Sequence, residues 1–216
     1  MESSIQNEIL NALQKISIDD FSETKEGEKR FRECAEFLMK NCILKTKAQQ
    51  YRFVELEFYK HSEKKHPDNF CHCEKPQLEF GKWYFHWAGI DITFGKKNLL
   101  NEKENVFGGI LIRGIKKNKS GEYTSGPLNV LKEAMSNFGS ITDENSVFKV
   151  EVLREQNPAK IFQIHRHGLP DKNFEGVEKF REARYRFITD IYETKHDFKE
   201  KGKVKRDIDF NKEFYQ

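Results

Sequence analysis

The stretch YRFVELEFY, residues 51–59, predicts a β-strand with two unlike faces. Successive side chains of a strand point to opposite sides of its sheet, so the alternating pattern gives this strand one apolar face. The residues predicted on the buried face are Val54, Leu56 and Phe58. The other face carries Glu55, Glu57 and Tyr59. Two carboxylates beside a tyrosine indicate either a lined cavity or a solvated strand face, and the segment alone leaves both interpretations open.

A polar loop, residues 60–73, follows this strand and ends in the triplet Cys71–Cys73, with His72 at its centre. His72 can therefore meet the acid and the aromatic ring of the strand at one pocket. Thiolates and imidazoles are also the ligands that zinc prefers, and His66 lies in the same loop. Neighbouring side chains of the triplet diverge, however, and the sequence contains no second CxxC or HxxxH pair to complete a tetrahedral site. The sequence predicts no metal and no cofactor.

The composition is that of a folded protein without a membrane span. The chain has 216 residues, 37% of them hydrophobic and 19 of them Phe, which suffices for one domain with an apolar core. No stretch approaches the roughly 18 consecutive apolar residues of a membrane span, and the first residues lack a basic leader. Four cysteines without the spacing of a disulfide framework predict reduced thiols. We therefore expect a soluble, cytoplasmic monomer, associated with the nucleoid if the source is bacterial. The net charge of +3 permits an anionic partner without requiring one.

The order of the predicted elements indicates an α+β fold. Helices are predicted at 5–16, at 28–42 and from Pro127 onward through LNVLKEAM. Strands are predicted at 43–46, 51–59, 106–115, 147–154 and 160–165, with 81–95 forming one bent strand or a hairpin. The segment EKFREARYRFITDI, 178–191, is either a helix that turns into a strand or a helix throughout.

The expected architecture is a single domain with a central antiparallel or mixed curved sheet flanked by helices. Residues 1–27 would form an N-terminal amphipathic helix and linker, 28–192 the α+β domain, and 193–216 a charged C-terminal tail.

Four short segments carry a resemblance to a known family. They are VELEFY at 54–59, Asp68 with His72 four residues later, GKWYFHWAG at 81–89 and GGILIRGI at 108–115. In their order and spacing these segments resemble the alkyladenine (3-methyladenine) DNA glycosylase family. Weaker matches at SGPLNVLKEAM, 125–135, and FREARYRFI, 180–188, extend the resemblance, which spans residues 31–188.

The resemblance implies roles for individual residues. Glu57 would activate water, Tyr59 and His72 would stack on an extruded base, and Arg113 would lie near the reactive sugar and phosphate. From the residues alone, Glu57 has the alternative of a strand-edge glutamate paired with a lysine. A buried guanidinium on the apolar strand of Arg113 needs a phosphate or a carboxylate, and Glu55 or Glu57 is its structural alternative.

The chain departs from the family pattern in the aromatic segment. One residue fewer separates the two glycines that bound this segment, so the pocket aromatic is either Phe85 or His86. The family carries a wedge tyrosine where this chain has Ala88, and Trp87 beside it is the expected DNA wedge. The asparagine with which the family excludes guanine falls at Gly95.

Basic residues toward the C-terminal end are candidates for contact with DNA. Arg184 and Arg186 alternate with aromatic residues and are expected at the DNA backbone, although solvated helix faces have a similar pattern. The motif HRHG, 165–168, is either a phosphate-contacting loop or an exposed basic turn.

The resemblance implies base excision repair of double-stranded DNA: extrusion of an alkylated or deaminated purine and hydrolysis of its N-glycosidic bond. The transition state of such a reaction is oxocarbenium-like, and one carboxylate that activates water suffices without a metal. No lysine matches a β-elimination nucleophile, so we expect a monofunctional enzyme. The alternatives are a catalytically silent protein that binds nucleic acid or a modified base, suggested by the altered wedge and the missing asparagine, and a hydrolase of small nucleosides.

Overall fold

One long strand, Gln50–His61, organises the fold, and both of its faces are covered. The computed structural model describes residues 2–18, 21–136, 138, 147–153, 156–189, 199–200 and 203–204. The helices are α1 (Glu2–Ile18), α2 (Thr24–Asn41), α3 (Pro127–Ser136) and α4 (Val177–Arg181). The strands are β1 (Cys42–Thr46), β2 (Gln50–His61), β3 (Phe80–His86), β4 (Gly89–Phe94), β5 (Phe107–Lys117), β6 (Tyr123–Ser125), β7 (Phe148–Val152), β8 (Ile161–Ile164), β9 (Arg186–Thr189), β10 (Lys199–Glu200) and β11 (Lys203–Val204). Short 3₁₀ turns span Lys75–Leu78 and Glu102–Glu104.

The main sheet is antiparallel in every strand pair of the described chain. Its order is β3-β4-β5-β2-β1-β7, with β6 added to β5, and with β9 pairing both β2 and β8. The sheet is curled and α1, α2 and α3 pack against it, so the predicted α+β single domain is confirmed. β2 lies in the middle of this order, which excludes a strand-edge position for Glu57.

Two alternatives left open by the sequence are resolved in the sheet. Residues 81–95 form a hairpin, in which β3 and β4 are joined at a turn of Trp87 and Ala88. The segment 178–191 begins as the short helix α4 and continues as β9. Its last two residues lie outside the described part.

A β-bulge interrupts the predicted alternation of β2. The pairing of β2 with β5 shifts register between Phe53 and Glu55 and again between Glu55 and Leu56. An extra residue at a bulge interrupts the alternation of sides. Phe53 therefore joins Leu56 and Phe58 in the hydrophobic core, whereas Val54 is buried but lies outside that core cluster. Val54, Leu56 and Phe58 are thus buried as predicted, and the bulge adds Phe53 to the core cluster.

The N-terminal helix belongs to the same core as the sheet. Ile9, Leu13 and Ile16 of α1 are buried in the core cluster that also contains β2 residues. Leu10 of the same helix is 42% exposed. The predicted tail, 193–216, lies mostly outside the described residues, and its described part is the antiparallel pair β10 and β11. Among the described residues, no helix is long and apolar enough to cross a bilayer.

Candidate functional site

A cavity of about 380 Å³ opens where β2, the β3–β4 turn, β5 and the loop after β8 meet. Its volume falls within the ~300–1,000 Å³ typical of small-molecule sites. The rings that line it are Tyr59, Phe70, His72, His86 and Trp87. Its polar lining includes Gln77, Asp91, Arg113, His167 and Lys172. The structure therefore brings residues from six separate parts of the chain to one concave, ring-rich site.

The β3–β4 turn and the loop before β3 supply the outer wall. Trp87 is 83% exposed, and its ring lies nearly parallel to that of His72, with centroids 6.4 Å apart. His86 meets His72 edge to face at 5.7 Å. Partial burial, reinforced by the neighbouring His86, lowers the pKa of His72. His72 is therefore disposed to present a neutral ring at the mouth of the cavity.

Of the two candidates for the pocket aromatic, the structure brings His86 and not Phe85 to the cavity. Neighbouring residues of a strand point to opposite sides, and Phe85 lies on the far side of β3. There it packs against Phe148, with ring centroids 5.7 Å apart, and it is 46% exposed. The prediction of Phe85 as a base-pocket residue is corrected by this placement.

Glu57 lies directly behind the cavity wall and has no exposed surface. The hydroxyl of Tyr59 donates a hydrogen bond to its Oε1, and the main-chain N–H of His167 donates to its Oε2 at 3.3 Å. Arg113 Nε is 3.5 Å from the same Oε2. Tyr59, Arg113 and His167 all line the cavity, so the residues that hold this carboxylate also separate it from the open space.

The phenol of Tyr59 stays protonated across the physiological range. Burial raises the pKa of Tyr59 well above its usual value, and the charge of Glu57 raises it further against the opposing effect of Arg166. A protonated hydroxyl is a donor, which agrees with its hydrogen bond to Glu57.

Two arginines and two glutamates form a buried cluster on this side of β2. Arg113 Nε lies 2.9 Å from Glu55 Oε1, and Arg186 binds the same oxygen through Nε at 2.8 Å and Nη2 at 2.7 Å. Burial lowers the pKa of Arg113, but Glu57 and Glu55 outweigh that effect and raise it. Glu55 takes the closest contacts of both guanidinium groups, so Glu57 is the less strongly paired of the two acids.

Arg186 is not available to a DNA phosphate in this structure. It is only 3% exposed, because β9 pairs with β2 and places its guanidinium beside Glu55. The prediction of Arg186 at the DNA backbone is corrected accordingly. Arg184 is half-buried and is tied through its main chain, whose N–H donates to Glu28 and whose carbonyl accepts from Gln163.

The motif HRHG provides a buried arginine and not an exposed turn. Arg166 Nη1 lies 2.7 Å from Asp68 Oδ2, and neither side chain has exposed surface. The guanidinium also lies over the ring of Tyr59, 5.0 Å from its centroid, and donates to the carbonyl of Phe180 at 2.9 Å. This ion pair joins the loop of His72 to the loop after β8 at the back of the cavity. The sequence analysis did not assign Arg166 a buried position. The available signal was that Asp68, if buried, needs a cationic partner elsewhere in the chain.

His66 is part of the packing beneath the cavity. It has no exposed surface, and its ring meets Phe21 at 5.0 Å and Phe180 at 4.9 Å between centroids. Burial, together with the charges of Lys60 and Arg166, lowers the pKa of His66 to about 3. His66 and the exposed His72 therefore do not share a site, and the described residues contain no group of three or more His, Cys, Asp or Glu arranged to hold a metal ion.

A second acid lines the cavity on the β4 side. Asp91 is 3% exposed, and its Oδ1 lies 3.2 Å from His86 Nε2. Its Oδ2 accepts from Gln77 Nε2 at 3.4 Å. Sequence reasoning missed Asp91 and Gln77; the available signal was one acid inside the apolar run GIDITF.

Comparison with known proteins finds a distant relative of uncharacterised function. No protein-family profile matches the chain. The chain is 26% identical over 203 residues to "Uncharacterized protein L759" of Acanthamoeba polyphaga mimivirus, covering 80% of this chain and 91% of that protein. The name of this relative states no activity, so the functional conclusion depends on the site.

Proposed function

We propose that this protein is a monofunctional DNA glycosylase that extrudes a damaged purine from duplex DNA and hydrolyses its N-glycosidic bond with a water activated by Glu57. One observation carries the proposal: a ring-lined cavity has a buried carboxylate directly behind its wall. The order of the segments that resemble the alkyladenine glycosylases supports the same reading.

The rings of the cavity match the needs of base extrusion. Taking a base out of the stack costs a few kcal/mol, and stacking on aromatic faces recovers roughly 1–3 kcal/mol per base. Tyr59, His72 and His86 supply such faces, and the exposed Trp87 stands beside them at the rim. An extruded purine would therefore meet rings on several sides.

Glu57 is suited to accept a proton from water and to favour a positively charged sugar. An ionised carboxylate has about four acceptor positions, and the hydroxyl of Tyr59 and the N–H of His167 occupy two of them. Arg113 Nε and Arg186 Nε lie 3.5 and 4.0 Å from Oε2 as ion-pair partners, so Glu57 keeps acceptor capacity for a water. Because Glu57 has no exposed surface, this water reaches it when the side chain of Tyr59 or Arg113 shifts as substrate binds.

The enclosure of Glu57 also favours a second candidate function. A carboxylate held by two hydrogen-bond donors and a nearby guanidinium behind a closed wall can serve as a structural anchor of the cavity. The protein would then bind a modified base or nucleic acid without cleaving it. The two functions predict different outcomes in the same assay.

The test is single-turnover excision from duplexes that contain a methylated purine, hypoxanthine or ethenoadenine. We expect the wild type to release at least one of these bases and Glu57→Gln to release it ~100- to 10,000-fold more slowly, the usual contribution of a general base. Glu63→Gln is the matched control, because Glu63 is exposed and follows the same strand. It should behave as wild type.

Equal release by wild type and Glu57→Gln would contradict the catalytic role of Glu57. Tight, salt-sensitive binding of the duplex without release would instead establish the silent binder. Turnover of free nucleosides but not of duplex DNA would identify a nucleoside hydrolase.

A further inference from the structure

We infer that Asp91, held by His86 and Gln77, reads the hydrogen-bonding edge of the base and selects a purine with two adjacent N–H donors, a 2-amino-6-oxopurine. This inference rests on the proposed function, because it names the substrate class of the same cavity. It concerns the β4 wall of the cavity and not the stacking rings or Glu57.

Asp91 supplies the cavity with an acid that lacks a permanent cationic partner. The charges of Arg113 and Arg186 are balanced by Glu55 and Glu57. Within the described part of the chain, the carboxylate of Asp91 contacts His86 and Gln77, which are donors without a fixed charge. A buried carboxylate is costly unless donors surround it. A ligand that brings further N–H groups would complete its shell.

The two partners of Asp91 are themselves oriented by the main chain. The N–H of Ala88 donates to His86 Nδ1 at 3.3 Å, so the ring proton is on Nε2, toward Asp91. The N–H of Glu74 donates to Gln77 Oε1 at 3.2 Å, so the amide NH₂ faces Asp91. Each oxygen of the Asp91 carboxylate thus receives one hydrogen bond. About two of the four acceptor positions of the whole carboxylate are left for a ligand.

The backbone of β5 makes room for this carboxylate. A Cβ at Gly109 would lie 2.5 Å from Asp91 Oδ2, closer than real Cβ atoms come, and 3.0 Å from Gln77 Nε2, a tight contact. Gly109 pairs with Tyr59 of β2, so the carboxylate lies over the strand next to the stacking tyrosine. The acid therefore lies close to the tyrosine on which the base is proposed to stack.

The edge of the base decides how well it matches such an acceptor pair. A 2-amino-6-oxopurine presents N1–H and the 2-amino group side by side, which fits the two oxygens of one carboxylate. Hypoxanthine lacks the 2-amino group, and adenine places the N1 lone pair beside its single amino donor. A site built to accept hydrogen bonds rejects analogues that lack the donor, and a lost bond to a charged group weakens binding roughly ten- to a hundredfold.

Binding of free bases tests this inference without requiring catalysis. The probes are 7-methylguanine, 7-methylhypoxanthine and 7-methyladenine, which share the N7 methyl group and differ at the edge, with affinity measured by calorimetry. We expect wild type to bind 7-methylguanine at least tenfold more tightly than the other two. Asp91→Asn should reduce this preference to less than threefold. Asp171→Asn should leave the preference for 7-methylguanine unchanged, because the side chain of Asp171 is fully exposed and does not line the cavity.

The outcomes separate this inference from the proposed function. Equal affinity of wild type for the three bases overturns the inference and needs no variant, as does a preference that survives Asp91→Asn. Excision that depends on Glu57 together with such a result leaves the proposed function standing. A preference that depends on Asp91, found in a protein that excises nothing, supports edge reading and rejects hydrolysis.

Discussion

Replacing Asp68 by Asn should destabilise this protein far more than the same change at the surface. Asp68 and Arg166 form an ion pair with an N–O distance of 2.7 Å and no exposed side-chain surface on either partner. Asn keeps the shape but removes the charge, so the guanidinium is left buried without a counter-ion. Breaking such a pair from one side costs about 3–5 kcal/mol. A domain of this kind has a free energy of unfolding of about 5–15 kcal/mol, so the loss is a large fraction of its stability.

The matched comparison is the exposed pair of Asp171 and Arg181. Its charged atoms are 3.9 Å apart and the side chain of Asp171 is fully exposed, so Asp171→Asn should leave the free energy of unfolding unchanged within experimental error. Urea denaturation of both variants, followed by circular dichroism, measures the two free energies of unfolding. For a chain of this size, Asp68→Asn should lower the melting temperature by about 6–20 °C.

A double-mutant cycle tests the cause of the loss. Arg166→Met removes the buried charge, and in the double variant with Asp68→Asn neither charge is left unpaired. We expect the double variant to be more stable than the sum of the two single losses predicts, by about 2 kcal/mol or more. A loss below 1 kcal/mol for Asp68→Asn, or strictly additive losses, would refute the view that this ion pair is coupled and buried.

Two further predictions concern a buried histidine and an exposed tryptophan. The folded-state pKa of His66 is about 3, below its unfolded value near 6.5, so the unfolded chain binds the proton first as pH falls, and stability present above pH 6.5 is lost toward pH 3. At pH 5 this loss amounts to about 2 kcal/mol. Urea titrations at pH 7, 6 and 5 measure the free energy of unfolding, which should fall less steeply with pH in His66→Gln than in the wild type. Equal slopes in the two proteins would contradict the assignment. Trp87→Ala should weaken binding to a damaged duplex roughly 5- to 100-fold in a fluorescence titration and leave the melting temperature unchanged. Leu100→Ala, at a 99% exposed position outside the cavity lining, should change neither quantity. Unaltered DNA affinity of Trp87→Ala would reject the wedge role of Trp87.

The type and order of the elements were predictable because they depend on local periodicity. The helical spacing of α1 and α2 and the alternation along β2 are properties of neighbouring residues. The bulge in β2 was not predictable, since the extra residue is defined by the strand it pairs with, and it brought Phe53 into the core cluster although Val54 is also buried.

The candidate site divides in the same way. Tyr59, His72, His86 and Trp87 were named from their segments, and the structure brings all four to one cavity, while their roles stay predictions. Arg186 was misplaced because its partner Glu55 lies 131 residues away, a distance over which sequence spacing carries no information.

The missed residues were equally non-local. Asp91 and Arg166 are single charges in unremarkable settings until the sheet closes. Their partners, Gln77 and Asp68, lie 14 and 98 residues away in the chain. Only the tertiary arrangement identifies these pairs.

The partnership of β2 with β9 has a consequence for how the chain is made on the ribosome. Glu55 is synthesised 131 residues before Arg186, and Phe58 is synthesised almost as many residues before Tyr185, whose carbonyl accepts a hydrogen bond from its N–H. During translation the acids of the central strand lack Arg186 until β9 arrives, so of the two arginines of this cluster only Arg113 of β5 can neutralise them before then. The pocket is thus among the last parts to assemble, and a nascent chain that stops before Tyr185 presents its middle strand to chaperones and proteases.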